Sequence, residues 1–268
     1  SSSNGIYLSS SSPTIDRNII TDNTNYGISG NSNSAGLITN NTFSGNGQAP
    51  INIHPNAVRR VNGNSGSGNG QDVIRVYGGE LTANSTWVKQ ELPFTITADI
   101  TVHRSAGSNH DNPGSVKLTI EPGVQVRFNP GTGLIVGKAL NSINGYYGAL
   151  SVQGTAESPV TFTSSAASPA PGDWKGICFS NETHDAATLL EHCIVEYGGH
   201  TQNANMYFAS ANPAIKDSTI RFSSSNGIYL SSSSPTIDRN IITDNTNYGI
   251  SGNSNSAGLI TNNTFSGN

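Results

Sequence analysis

The stretch HRSAGSNHDN brings His103, Arg104, His110 and Asp111 close together in the chain. Histidine and aspartate can transfer a proton or hold a metal ion. Their spacing fits no zinc-ligand pattern, so a solvated loop is the expected reading. A second candidate, SGSGNGQD (65–72), is glycine-rich but lacks the Lys and Ser/Thr of a phosphate loop, and it precedes a strand pattern rather than a helix. It reads as a turn. Trp174, in GDWKGI, and the pair Tyr207 and Tyr229 could stack on sugar rings, although large aromatics more commonly serve packing. Carboxylate-based hydrolysis needs two unneutralised acids about 5–10 Å apart. A calcium site needs about six to eight oxygens. Whether such acids meet depends on the elements that carry them.

Those elements repeat. Residues 1–46 recur without a change at 223–268, an offset of 222 positions. Inside this long period lies a shorter one of about 22 residues. Met206, Ile228 and Ile250 keep it, as do Ile215 with Ile237 and Ile220 with Ile242, and Phe265 follows one position late. Ile74, Ile96 and Leu118 show the same spacing. Short alternating runs such as TIDRNII are punctuated by Gly, Asn, Ser and Pro, a strand-and-turn pattern. Units this small cannot bury an apolar face alone and must stack on copies of themselves. The expected fold is all-β: a right-handed parallel β-helix, a solenoid with rungs of about 22 residues. At about 4.8 Å per rung, roughly ten rungs would make each 222-residue unit about 45–50 Å long.

Stacking turns the sequence into columns. Aligning LEHCIV, IKDSTI, IDRNII and ITNNTF places Cys193, Ser218, Asn240 and Asn263 in one inner corner. Asn240 over Asn263, and Asn18 over Asn41, predict buried amide ladders in which each side chain bonds the next. The neighbouring columns, Glu191–Lys216–Asp238–Thr261 and His192–Asp217–Arg239–Asn262, alternate in sign from turn to turn. Acids are thus matched by bases, not clustered. A further column places Ile177, Met206 and Ile228 inward, with Cys178, Tyr207 and Tyr229 outward. Cys178 outside and Cys193 inside then form no disulfide. Sequons at Asn40, Asn84, Asn181 and Asn262 are candidate glycosylation sites, and the columns place Asn40 and Asn262 outward.

The segments LTIEPGVQVRFNPGTGLIV, GTAESPVTFTS, GDWKGICF, LEHCIVEYGG and NPAIKDSTIRFSSSNGIYLSSSSPTIDRNIITDN resemble the right-handed parallel β-helix repeat proteins of prokaryotic cell surfaces. The resemblance implies a secreted or surface-attached solenoid within a large multi-repeat protein, and no activity by itself. Some relatives of that group are polysaccharide lyases, epimerases or hydrolases.

Composition narrows the partners. Charged residues make up 11% of the chain and the net charge is −4, so nothing points to nucleic acid or an anionic membrane. No apolar run of about 18 residues suggests a membrane span. Residues 1–222 read as one full unit and 223–268 as the start of a second, continuous with it; Ser1 reads as a cut edge. The expected function is a structural segment of an extracellular or cell-surface fibre, whose partners are copies of itself end to end. It is expected to be no enzyme and to hold no cofactor or metal. The alternatives are a carbohydrate-binding adhesin module contacting surface glycans, and a lyase- or hydrolase-like enzyme.

Overall fold

The computed structural model describes residues 1–104, 114–138 and 147–268. Side chains alternate across a strand, so each short strand can offer one or two residues to an interior. In Thr236–Asp238 only Ile237 is buried. In Asn226–Ser231, Ile228 and Leu230 are buried around a half-exposed Tyr229. Such strands satisfy their backbone groups only by pairing with the turns before and after. They do so in parallel, as Leu189–Glu191 with Ala214–Lys216 and then Thr236–Asp238. The described residues contain no α-helix and two 3₁₀ segments, Pro55–Arg60 and Asp185–Ala187.

Among the described residues the strands form one eleven-stranded sheet, two of seven and two of three. The long sheet runs from Ile6–Leu8 to Thr264–Ser266. Its inward file passes from Ile6 through Ile28, Ile51, Ile74 and Phe94 to Val126, Phe162, Val195, Ile220, Ile242 and Phe265. The predicted stacks Ile215 on Ile237 and Ile220 on Ile242 are present, as is Met206–Ile228–Ile250.

The 22-residue step does not hold throughout. It is kept near both ends, as from Ile6 to Ile28 and from Ile220 to Ile242. In the middle, Phe94 pairs with Val126, Val126 with Phe162 and Phe162 with Val195, steps of 32, 36 and 33 positions. The extra residues of these turns fall between strands and leave the pairing of the strands intact. The spacing of Ile74, Ile96 and Leu118 is therefore coincidental. Ile74 pairs with Phe94, Ile96 with Val76 and Phe128, and Leu118 lies on another sheet beside Ser85 and Leu150. From Ile6 to Ile220 the long sheet takes eight steps. The expected ten rungs become eight turns and one further side, about 40 Å of rod at the usual strand spacing.

The two copies of the repeated segment fold alike. Thr14–Asp16, Ile19–Thr21, Ile28–Gly30, Leu37–Thr39 and Thr42–Ser44 recur as strands 222 positions later. So do the left-handed residues, with Arg17 at φ 55° and Arg239 at φ 55°. Their sheets differ, however. Ile6 lies on the eleven-stranded sheet, whereas its copy Ile228 lies on a seven-stranded one; Ile242, the copy of Ile20, has joined the long sheet. One unit thus advances the sequence by one side of the solenoid.

Candidate functional site

The inner corner predicted from sequence is a hydrogen-bonded ladder. Asn240 donates from Nδ2 to Asn263 Oδ1 at 3.0 Å and to the Ile215 carbonyl at 3.1 Å, while its Oδ1 accepts the Ser218 amide at 3.0 Å. Ser218 Oγ in turn accepts the Cys193 amide at 3.0 Å. In the first copy Asn18 donates to Asn41, and the ladder continues to Asn64. Asn41 and Asn240 are buried, whereas Asn18 and Asn263, on the outermost turns, are not. The residue before each rung has the left-handed backbone of a tight corner: Arg17, Asn40 and Gly63 in one file, His192, Asp217, Arg239 and Asn262 in the other. That backbone turns the chain while aiming the next side chain inward.

A second ladder lies one corner further on. Asn23 donates to Asn46 at 2.8 Å and Asn46 to Asn69 at 2.8 Å; near the other end Asn245 donates to Asn268 at 2.8 Å and accepts the Ser223 amide at 3.1 Å. The signal for it was the same near-22 spacing of asparagines, each preceded by Asp or Gly.

The charge columns also stack as aligned, Glu191 beside Lys216 beside Asp238 beside Thr261. Arg239 holds Asp217 through two 2.7 Å bonds and also contacts Asp238. These Arg239 bonds hold the Asp217 carboxyl below its ordinary range. The Asp238 carboxyl is held low chiefly by donors from Asn262 and Thr261.

Of the HRSAGSNHDN group, His110 and Asp111 lie outside the described residues. His103 is buried beside Glu80, with Nε2 3.4 Å from the carboxylate and Nδ1 2.7 Å from the Arg104 carbonyl. Glu80 also accepts Lys138 Nζ at 2.5 Å, and that bond, aided by His103, keeps its carboxyl below the usual range. His54, packed edge-on to Tyr77, has its pKa lowered by burial, against the pull of Glu80. Sequence reasoning missed Glu80, Lys138 and His54, because the turns join residues as far apart as Lys138 and Glu80, 58 positions.

The glycine-rich stretch contains a short strand, Ser65–Ser67, followed by a turn in which Asp72 accepts the Gly68 and Asn69 amides. Trp174 is wholly buried, stacked on Phe128 at 4.1 Å, and donates to the Glu196 carbonyl at 2.8 Å. Tyr207 and Tyr229 stack on each other at 5.6 Å on the outer face. All four sequon asparagines are exposed, although Asn40 and Asn262 donate from Nδ2 to Asp16 and Asp238.

Cys178 and Cys193 are separate thiols, as their columns required. Burial pushes Cys178 to about 11 and Cys193 to about 12, the Ser218 bond only partly opposing the latter. Alkylation follows the thiolate. At pH 8 the folded protein is expected to leave both unlabelled by iodoacetamide, as read by mass spectrometry, and to label both in denaturant. Rapid labelling of folded Cys193 would contradict the corner assignment.

No helix among the described residues is long and apolar enough to cross a membrane. No curated protein and no solved structure matches the chain. The family described as a right-handed β-helix region matches residues 1–106 and 124–268. With its parallel turns, inward apolar files and corner ladders, the chain belongs to the right-handed β-helix family.

Proposed function

We propose that this chain is a stretch of an extracellular fibre built from identical 222-residue solenoid units joined end to end, acting as a structural element rather than an enzyme. The observation that carries this reading is that both copies of the repeated segment keep the same strands and ladders while lying on different sheets. The two three-stranded sheets end at Val61–Asn62 and Ser65–Ser67. The two seven-stranded sheets begin at Gly79–Leu81 and Ser85–Trp87, and only the long sheet spans the gap. In a tandem array, the sheet that spans this gap changes from unit to unit, because the sequence advances one side each time. Breaks in the other sheets are then staggered around the rod, and no cross-section loses all its pairing. Head-to-tail continuation of this kind does not close, and it extends into a filament.

Extracellular placement belongs to the same proposal and is supported by the four exposed sequons. The non-enzymatic reading is supported by the acids tied to bases or donors, Glu80 to Lys138, Asp99 to Lys175, Glu196 to Arg221 and Asp217 to Arg239. The test is immunogold electron microscopy of native material with antibodies to residues 47–222. Labelled filaments bearing gold at regular intervals are expected; label confined to discrete particles would reject the fibre. Purified protein is further expected to release no reducing ends or unsaturated products from acidic or neutral polysaccharides, with or without calcium. Turnover that disappears in Glu80→Gln would favour the enzyme alternative.

A further inference from the structure

The outer face of the eleven-stranded sheet carries a cleft with unused binding capacity. Three consecutive turns place Arg75, Thr95 and Arg127 one above another, all pointing outward. Thr95 and Arg127 line the cleft with Gln71, Asp72, Val73 and Ser165, around a volume of about 290 Å³. The Thr95 hydroxyl is buried and has no hydrogen-bond partner, and the Arg75 Nε, one turn away, is likewise buried and unpartnered. A buried polar atom without a partner carries a desolvation penalty, which asks for an explanation.

The arginines are charged at any physiological pH. Among the described residues, neither has a carboxylate within ion-pair distance, unlike Arg221 and Arg239. Arg75 donates from one terminal nitrogen to Tyr26 Oη at 2.7 Å and lies over that ring. Arg127 uses its Nε on Gln125 Oε1 at 2.9 Å. The one acid in the lining, Asp72, already accepts the amides of Gly68 and Asn69 and the Asn69 side chain. Those bonds, outweighing burial, hold its carboxyl low. The arginines flank Thr95 one turn on each side, so their backbone positions are about 10 Å apart. The Arg75 guanidinium leans away from Thr95, onto Tyr26 and Gln48, so Arg127 is the cation that faces the cleft.

We propose that this cleft binds an oxyanion, sulfate or carboxylate in type, through the Arg127 guanidinium and the Thr95 hydroxyl. The anion is either free or borne on a polymer. Parallel stacking supplies the site: it puts the Thr95 hydroxyl one turn from Arg127, which lies 32 positions away in sequence.

Calorimetric titration of the protein with sodium sulfate, and separately with dextran sulfate oligomers against uncharged dextran, at constant ionic strength, tests this. Saturable binding of sulfate is expected, weakened about tenfold or more in Arg127→Gln and measurably in Thr95→Val. Thr95→Val keeps the shape and removes the orphaned group, so it should be at least as thermostable as the parent; this separates lost binding from lost folding. Tighter binding of dextran sulfate than of sulfate would identify a polymer-borne ligand, and equal site affinity a free one. No saturable binding of either anion, or binding unchanged in both variants, would overturn the proposal.

Discussion

Replacing Trp174 by alanine is expected to lower stability by about 3–5 kcal/mol, the range for deleting a buried large aromatic. The ring is fully enclosed, lies almost parallel to Phe128 and ties the next turn by its bond to the Glu196 carbonyl. Alanine would leave both a cavity and an unpaired carbonyl. Trp174→Phe should restore most of the packing and lose about 1 kcal/mol for the missing donor. Urea denaturation followed by circular dichroism would show the ranking. Equal midpoints for the alanine variant and the parent would mean that this turn is not part of the cooperative core. Solenoids can unfold in segments, so the slope of the transition should be compared alongside the midpoint.

Asn240→Leu is expected to cost about 1–3 kcal/mol, because it strands buried groups on the preceding turn. The Ser218 amide loses its acceptor and the Ile215 carbonyl loses its side-chain donor, while Asn263 Oδ1 keeps only the backbone amide of position 240. Leucine keeps the branched outline of asparagine but is larger, so overpacking in the buried corner adds to the loss of polarity. The same change at Asn18, which is exposed on the first turn, should cost markedly less. Equal effects at the two positions would show that the ladder contributes through intrinsic corner propensity and not through its bonds.

The fold was legible because a small repeat that cannot bury its own face has few solutions, and the columns around Ile215, Ile220 and Met206 aligned without gaps. The Asn240–Asn263 corner and the outward Tyr207–Tyr229 pair followed from the same alignment. Three features were not legible. Turn length in the middle of the chain is set by the number of residues between strands, and a fixed spacing applied to Ile74, Ile96 and Leu118 crosses from one sheet to another. The change of sheet between copies depends on the sum of all intervening turns, which no local pattern contains. The groupings of Glu80 with Lys138 and of Arg75 with Thr95 and Arg127 join residues on turns of unequal length, so sequence spacing carries no mark of them. Trp174, readable as either a sugar platform or a packing residue, was decided by burial alone.

Continuity of the solenoid from one unit to the next is most directly tested by rod length. Proteins containing one, two and three consecutive 222-residue units can be imaged by electron cryomicroscopy. Each added unit is expected to lengthen an unbroken rod by about 40 Å, from eight turns and one side at the parallel-strand spacing. Separate particles joined by hinges, or an increment far from that length, would contradict a continuous fibre.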